Sequence, residues 1–321
     1  MTSKILITRQ VFSEVTEFLA THFEIDHNVS DDILSADALR ARAQGCAGVL
    51  ACLSEKIDAA FFAACPSVKV VSNIAVGYNN IDVAEASKRG VKVTNTPGVL
   101  DDTTADFTFA LLMAVARRVT EAETWLRDGE WKKGFAVEQM LGADIHHATL
   151  GIIGMGRIGQ TIAKRASGFD MNVRYYNRTQ LDGVTEAKLN VHYASQEAIL
   201  RVSDFVIVMA AYSPATHHLI GAKEIAQMKR SAILINTARG GVVDDLALIA
   251  ALKANKIAGA GLDVFENEPA FNREFLDLKN VVLTPHIGSA TYVTRMAMAM
   301  LAAHNLQVAL LGGMPPNCVN A

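Results

Sequence analysis

The eleven residues from Thr149 to Gly159 read T-L-G-I-I-G-M-G-R-I-G, which sets Gly154, Gly156 and Gly159 in the order G-x-G-x-x-G. An apolar run precedes them and a helix-like stretch, Gln160 to Ala166, follows. In that setting the first glycine permits a tight turn, the second lets the backbone approach a pyrophosphate, and the third lets helix and strand pack closely. The helix start, with Arg157 and Ile158 between the last two glycines, presents free N–H groups and a partial positive charge to phosphates. The next strand, V-R-Y-Y-N-R-T over 173–179, ends in Asn177, Arg178 and Thr179. Sites for an unphosphorylated ribose usually place Asp or Glu there, about 20 residues beyond the first glycine. Here Arg178 stands 24 residues beyond Gly154. A guanidinium between two neutral side chains suits a 2′-phosphate, so the expected cofactor is NADPH (NADP), with NAD as the second choice.

Three further segments put polar residues where strands should end. I-N-T-A-R-G-G-V from Ile235 carries Arg239, A-G-L-D-V-F-E-N-E-P from Ala260 carries Asp263 and Glu268, and T-P-H-I-G-S-A-T from Thr284 carries His286. In a doubly wound sheet the loops at the carboxyl ends of the strands form the ligand crevice, so Arg, Glu and His arriving there make a charge-paired acid–base group.

The elements that must position these residues are legible as alternation. Strands are expected at Ile5 to Thr8, Gly48 to Leu53, Val68 to Ile74 and Val91 to Asn95, with helical stretches near Val11 to Thr21, Asp37 to Arg42, Ile57 to Ala64 and Val83 to Arg89. Near-continuous apolar strands separated by helices indicate a parallel sheet covered on both faces. Pro97-Gly98 punctuates the chain, and Asp102 to Arg127 then reads as one long helix, either internal packing or a docking surface for a second subunit. From Thr149 the alternation restarts, with strands at 150–153, 173–176, 205–209, 232–236, 259–264 and 281–284, a six-strand pattern sufficient for a doubly wound dinucleotide domain. Ala290 to Leu311 reads as a final helix whose methionines are core filler.

Composition narrows the class. The chain has 321 residues, half of them hydrophobic, and a formal net charge of −3. That suits two domains and excludes disorder, while the missing basic excess argues against nucleic-acid binding. The stretch Met1 to Ala20 is interrupted by charges and reads as strand and helix rather than a signal peptide, and no run approaches a membrane span, so a cytoplasmic protein without membrane partners is expected. Cys46, Cys52, Cys65 and Cys318 lack metal or disulfide spacing. His146-His147 and His217-His218 read as surface or packing residues without accompanying carboxylates, and no metal is expected.

The motifs resemble the D-isomer-specific 2-hydroxyacid dehydrogenases over essentially the whole chain, nearest to the glyoxylate/hydroxypyruvate reductase branch and its bacterial members that also reduce 2-ketogluconate. The stretches that carry the resemblance are V-G-Y-N-N-I-D at 76–82, D-I-H-H-A-T-L-G-I-I-G-M-G-R-I-G at 144–159, G-L-D-V-F-E-N-E-P at 261–269 and P-H-I-G-S-A-T at 285–291. The resemblance implies an α/β fold of two doubly wound parallel-sheet domains, a Rossmann dinucleotide domain (99–289) inserted into a flavodoxin-like substrate domain (1–98 plus 290–321), with the active site in the cleft between them. It implies that Arg239 binds the substrate carboxylate and leans on the 2-keto oxygen. His286 would protonate that oxygen, and Glu268 would bind the far nitrogen of His286, fixing its orientation and favouring the imidazolium. Leu53 and the backbone N–H groups around Val76 and Gly77 match the substrate loops, Ser289 is an expected further contact to a substrate hydroxyl, and Thr104, Thr237, Asp263 and Gly288 are expected to line the cofactor. The implied partners are a small 2-keto or 2-hydroxy acid and a second copy of the chain in a homodimer. Two departures stand out. Met140 occupies the position that best matches a family tryptophan reaching a neighbouring subunit's site, and Ala211 replaces a hydroxyl placed against the cofactor in some relatives.

The function so implied is NADPH-dependent reduction of glyoxylate, hydroxypyruvate or 2-keto-D-gluconate. Its rivals are an NAD-preferring family member of D-lactate or phosphoglycerate type and a dinucleotide-sensing corepressor. The strand end at Asn177-Arg178 speaks against the first, and the absence of interaction extensions speaks against the second.

Overall fold

The computed structural model describes residues 2–321; Met1, where the N-terminal reading begins, lies outside the described residues. The chain divides into two units, Met1–Leu100 with Ala290–Ala321, and Asp101–Ser289.

The first unit is built on five parallel strands, β1 (Lys4–Ile7), β2 (Glu24–His27), β3 (Gly48–Ala51), β4 (Val70–Asn73) and β5 (Lys92–Thr94), in the order β2-β1-β3-β4-β5. That is the flavodoxin-like order. Alternate side chains serve opposite faces. Leu6, Val49, Val71 and Val93 pack on one side with Leu39, Phe61 and Phe62, while Ile5, Ile7, Leu50 and Val70 pack on the other with Val15, Leu19 and Leu306. Leu306 belongs to the Tyr292–Leu310 helix, so the C-terminal segment completes the core of the N-terminal sheet.

The second unit carries β6 (Thr149–Ile153), β7 (Asn172–Tyr176), β8 (Val191–Tyr193), β9 (Phe205–Val208), β10 (Ile233–Asn236), β11 (Gly259–Leu262) and β12 (Val281–Leu283). Their order is β12-β11-β10-β9-β6-β7-β8, and every pairing is parallel. This is the dinucleotide-binding order with one further strand at the β12 edge. Leu150, Ile152, Tyr175, Phe205 and Ile207 face a layer containing Phe109, Leu112 and Ile162. Ile153, Val206, Val208, Leu234 and Leu262 face Ile199, Leu248 and Leu252. No helix among the described residues is long and apolar enough to cross a membrane.

Three expectations are corrected. Two strands were not foreseen, β2 (E-I-D-H) and β8 (V-H-Y). Both close an edge of their sheet and lack the apolar run that marks a strand covered on both faces. The single long helix is two, Asp101–Ala116 and Val119–Arg127, separated where Arg118 takes φ +53°. The Ala116 carbonyl there accepts from the Ala143 N–H at 2.8 Å, so a returning loop takes the acceptor that a continuing helix would use.

Candidate active site

The glycine loop is shaped as its sequence demands. Gly154 turns the chain at φ +106°, and a Cβ there would lie 2.6 Å from the Met209 backbone. A Cβ on Gly159 would fall 2.3 Å from the Gly154 carbonyl oxygen. Gly156 differs: it precedes the Arg157–Ala166 helix, no side chain caps that helix, and a Cβ would meet nothing within 4 Å. Among the described residues no side chain caps the first amides of the helix, and the surface beside Gly156 is clear, an arrangement that fits a dinucleotide pyrophosphate. Arg157 pairs with Asp101 (Nε–Oδ2 3.2 Å), and Ile158 is half-buried behind the loop.

At the end of β7, Asn177 Oδ1 accepts from the Met155 N–H at 3.4 Å, and its Nδ2 donates to the Thr179 carbonyl at 3.0 Å. The strand end is thereby tied to the glycine loop. Arg178 and Thr179 are exposed, and Arg178 forms no hydrogen bond or ion pair among the described residues.

The loops after β10, β11 and β12, three neighbouring parallel strands, bring Arg239, Glu268 and His286 to one sheet edge. His286 Nδ1 lies 2.7 Å from Glu268 Oε2, while Glu268 Oε1 accepts from the Phe265 N–H at 2.8 Å. Both carboxylate oxygens are therefore committed, and the imidazole is oriented by a charge-assisted contact. The backbone under His286 is fixed by Asp263. Its Oδ1 accepts from Thr284 Oγ1 (2.7 Å) and the Ile287 N–H (2.8 Å), its Oδ2 accepts from the Gly288 N–H (2.8 Å), and its carbonyl accepts from the His286 N–H (2.9 Å). Burial raises the pKa of the Asp263 carboxyl above the ordinary value in spite of those donors. Asp263 thus shapes the turn that carries His286. Thr104 and Gly288 adjoin it, the Thr104 methyl lying 3.7 Å from a Cβ built on Gly288. Thr237 is buried with its hydroxyl 2.7 Å from that of Thr108, and Ser289 is half-buried at the end of the same turn.

Arg239 is held by Asn236, whose Nδ2 donates to the Arg239 carbonyl at 3.1 Å. Nη1 of Arg239 donates to the Ala238 carbonyl at 2.7 Å, but Nε is buried without a partner among the described residues. Burial lowers the guanidinium pKa, opposed by the Glu268 charge. A buried unpaired donor costs about 1–3 kcal/mol, a cost that an anionic oxygen would remove.

In the first unit, Leu53 and the Val76-Gly77 pair lie on loops after β3 and β4. Asn80 Nδ2 donates to the carbonyls of Cys52 and Glu55 (3.0 Å each), lashing the two loops together. The Glu55 carboxylate is buried and accepts from Thr8 Oγ1, the Cys52 N–H and Ser54 Oγ. Asn95 and Asn73 occupy the carbonyls of Val76 (2.8 Å) and Gly77 (2.9 Å), whereas the Val76 and Gly77 N–H groups donate to nothing among the described residues. Asn80 lies within V-G-Y-N-N-I-D, yet neither it nor Glu55 and Asn73 is marked as functional by the sequence. A lone Glu or Asn beside an apolar run carries no signal of its own.

One expectation about histidines is corrected. His218 does have carboxylates beside it, Glu266 Oε1 at 2.7 Å from Nε2 and Asp244 Oδ2 at 3.7 Å from Nδ1. The two acids flank the imidazole, and ligand atoms of His218, Asp244 and Glu266 all lie within 4.8 Å of one another. His146 and His147 lie at the surface, ring against ring. Burial pushes the Cys52 thiol up to about 12, the Glu55 charge assisting, which leaves it unreactive at neutral pH.

Residues 109–288 match the family model described as D-isomer specific 2-hydroxyacid dehydrogenase, NAD binding domain. A glyoxylate reductase of Pyrococcus horikoshii is 47% identical over 323 residues, covering 100% of this chain and 96% of its own. Among solved structures, a protein of Thermus thermophilus superposes with a TM-score of 0.90 at 40% identity, covering 98% of this chain and 99% of its own. An NADPH-dependent glyoxylate/hydroxypyruvate reductase from Sinorhizobium meliloti, in complex with NADP and malonate, superposes with a TM-score of 0.87 at 34% identity, covering 99% and 97%.

Asp245, which accepts from the Glu266 N–H at 3.1 Å, gives a stability test. Burial first, then the nearby charges of Glu266 and Asp244, raise its carboxyl to about 6. A carboxyl whose folded pKa lies above its unfolded value favours folding below the unfolded value, near 4, and that contribution is lost as pH rises through about 6. Asp245→Asn keeps the acceptor and removes the charge. Its thermal midpoint should therefore exceed the wild-type midpoint at pH 8 and match it near pH 4. An equal difference at both pH values would exclude the ionisation of Asp245 as the cause.

Proposed function

The chain belongs to the D-isomer-specific 2-hydroxyacid dehydrogenases, NAD(P)-dependent oxidoreductases, and from that premise we propose that it reduces small 2-keto acids to D-2-hydroxy acids with NADPH preferred over NADH. Glyoxylate and hydroxypyruvate are the first substrates in this reading, and 2-keto-D-gluconate is a third. The observation that carries it is the 2.7 Å contact of His286 with Glu268 on the unit that holds the partnerless Nε of Arg239. A buried cation and an oriented acid–base imidazole are what a carboxylate beside a reducible carbonyl requires.

The residues that would hold the cofactor are Gly154, Gly156, Arg157, Ile158 and Gly159 at the pyrophosphate, and Asn177, Arg178 and Thr179 at the adenosine ribose. Thr104, Thr237, Asp263 and Gly288 would line the nicotinamide end. When bound, the dinucleotide supplies a hydride to the substrate carbonyl carbon. Arg239 binds the substrate carboxylate and polarises the 2-keto oxygen, His286 gives that oxygen its proton, and Glu268 keeps the imidazole in register. Among the described residues the N–H groups of Val76 and Gly77 donate to nothing, and these groups, Leu53 and Ser289 are proposed as substrate contacts, each on its own unit.

We assign the homodimer to the segment that leaves apolar surface uncovered. The Val119–Arg127 helix buries none of its residues. Leu126, Trp131, Phe135, Val137 and Leu141 in and after it are all more than half exposed, a density of large apolar side chains that marks an interaction surface. Met140 lies within that stretch. The Asp101–Ala116 half of the segment packs inside its own unit instead.

Three measurements check this reading. Initial rates with glyoxylate, hydroxypyruvate, pyruvate and 2-ketogluconate should show turnover that His286→Ala lowers 10²–10⁴-fold with dinucleotide affinity nearly intact; a loss within tenfold would remove the general-acid role. The ratio of kcat/KM for NADPH to that for NADH should exceed one and fall towards parity in Arg178→Ala, whereas parity in the wild type would refute the cofactor preference. Sedimentation equilibrium should give a dimer that Phe135→Asp with Val137→Asp weakens, and a wild-type monomer at micromolar concentration would overturn the assignment.

A further inference from the structure

Glu268 orients His286 only as well as its own turn is held, and the holding group is a second histidine–carboxylate pair. The β11 string continues as Phe265, Glu266, Asn267 and Glu268. Glu268 reaches forward to His286, and Glu266, two residues earlier, accepts from His218 Nε2 at 2.7 Å across 48 residues of sequence. His218 is itself fixed. Its N–H donates to the Gly241 carbonyl at 2.8 Å, its ring stacks on that of His217 with centroids 3.8 Å apart, and Asp244 Oδ2 stands 3.7 Å from Nδ1. The other oxygen of Asp244 caps the Asp245–Lys253 helix through the Ala247 N–H at 3.0 Å. Asp245 takes the Glu266 N–H. Gly240, next to Arg239, lies so tightly under this turn that a Cβ on it would fall 1.7 Å from the Phe265 carbonyl oxygen. The loops after β9, β10 and β11 therefore meet at the His218 side chain.

We infer that His218 is a positioning residue: by holding Glu266 it fixes the 265–268 turn, and through the Phe265 N–H and Glu268 it sets the imidazole of His286. The inference deepens the function proposed above and rests on it for its kinetic arm alone. A misplacement of about 1 Å at a reacting group costs up to 10²-fold in rate, so partial loosening of the turn predicts a fall in kcat of about tenfold.

The test uses two substitutions at His218 in the full-length protein. His218→Phe keeps the stacked ring and removes the donor; His218→Gln keeps a donor within reach of Glu266. The first should lower kcat about tenfold with KM for the keto acid and for NADPH within twofold of wild type, and the second should restore most of the loss. In a Glu268→Gln background, His218→Phe should have no further effect, because its action runs through Glu268. Additive losses, or an unchanged kcat, would overturn the inference. A readout independent of turnover is the downfield proton resonance of the His286 Nδ1–H, assigned by its loss in Glu268→Gln. It should shift or broaden in His218→Phe and return in His218→Gln, and an unmoved resonance would overturn the inference even if no keto acid proved to be a substrate. Absence of wild-type turnover alongside a shifted resonance would instead refute the proposed substrates and leave His218 in its positioning role.

Discussion

A single carboxylate with both oxygens occupied is the constraint on which the site depends. Glu268 accepts from the Phe265 N–H and faces His286 Nδ1, so a flexible side chain is pinned at both ends of its charge. Ordering such a side chain costs rotamer entropy of up to about 2 kcal/mol. Two hydrogen bonds to an anionic group, at about 1.5–3 kcal/mol each, more than offset that. The arrangement requires the ends of β11 and β12 to lie side by side, and parallel pairing provides this: Leu262 is in register with Leu283, so both chains leave the sheet at the same edge. Neighbouring antiparallel strands would send their following loops to opposite edges. The β/α alternation is thus the precondition for the pair of side chains.

The weakly acidic balance of the whole chain says nothing about how it meets anions. Positive potential is supplied locally in three physically different ways. Arg239 contributes a guanidinium whose Nε is buried without a partner, the Arg157–Ala166 helix contributes amides that no side chain caps, and Arg178 contributes an exposed guanidinium with no partner among the described residues. Arg239 acts in largely dehydrated surroundings, where screening by salt is weak, whereas the helix start and Arg178 stand in solvent and are screened over about 8–10 Å. An exposed cation can still discriminate between two ligands that differ by a dianionic phosphate in direct contact, because contact pairs with bidentate geometry lie well inside that length.

What the sequence made legible follows from where each signal resides. Strands covered on both faces are written as continuous apolar runs, and these were found. The edge strands β2 and β8 mix apolar with charged and polar residues because one side of each has no neighbouring strand. The break after Ala116 depends on the Ala143 N–H, a contact from 27 residues downstream that no helical periodicity encodes. The same division holds at the site. The glycine loop and the strings around Arg239, Glu268 and His286 are local, so residue type and spacing disclose them. The pairing of His218 with Glu266 and the Asn80 lashing across Cys52 and Glu55 arise only when separate loops are brought together. The expectation that His217-His218 lacked carboxylates failed for that reason.

The string G-L-D-V-F-E-N-E-P over 261–269 shows what residue types alone conceal. Three acids within six residues would ordinarily be read as a solvated acidic loop. Each instead serves a different neighbour: Asp263 the backbone of the turn that carries His286, Glu266 the His218 ring, and Glu268 the His286 ring. Three like charges so close repel one another, and Glu266 helps to raise the carboxyl of adjoining Asp245. The segment is stable because each carboxylate has donors of its own. The donors come from three directions, and removing one leaves an acid uncompensated rather than merely unpaired. Acids serve better here than amides would, because an acceptor with two equivalent oxygens can bridge two donors at once without presenting an N–H to the wrong side. That property lets one short loop organise the ends of three strands.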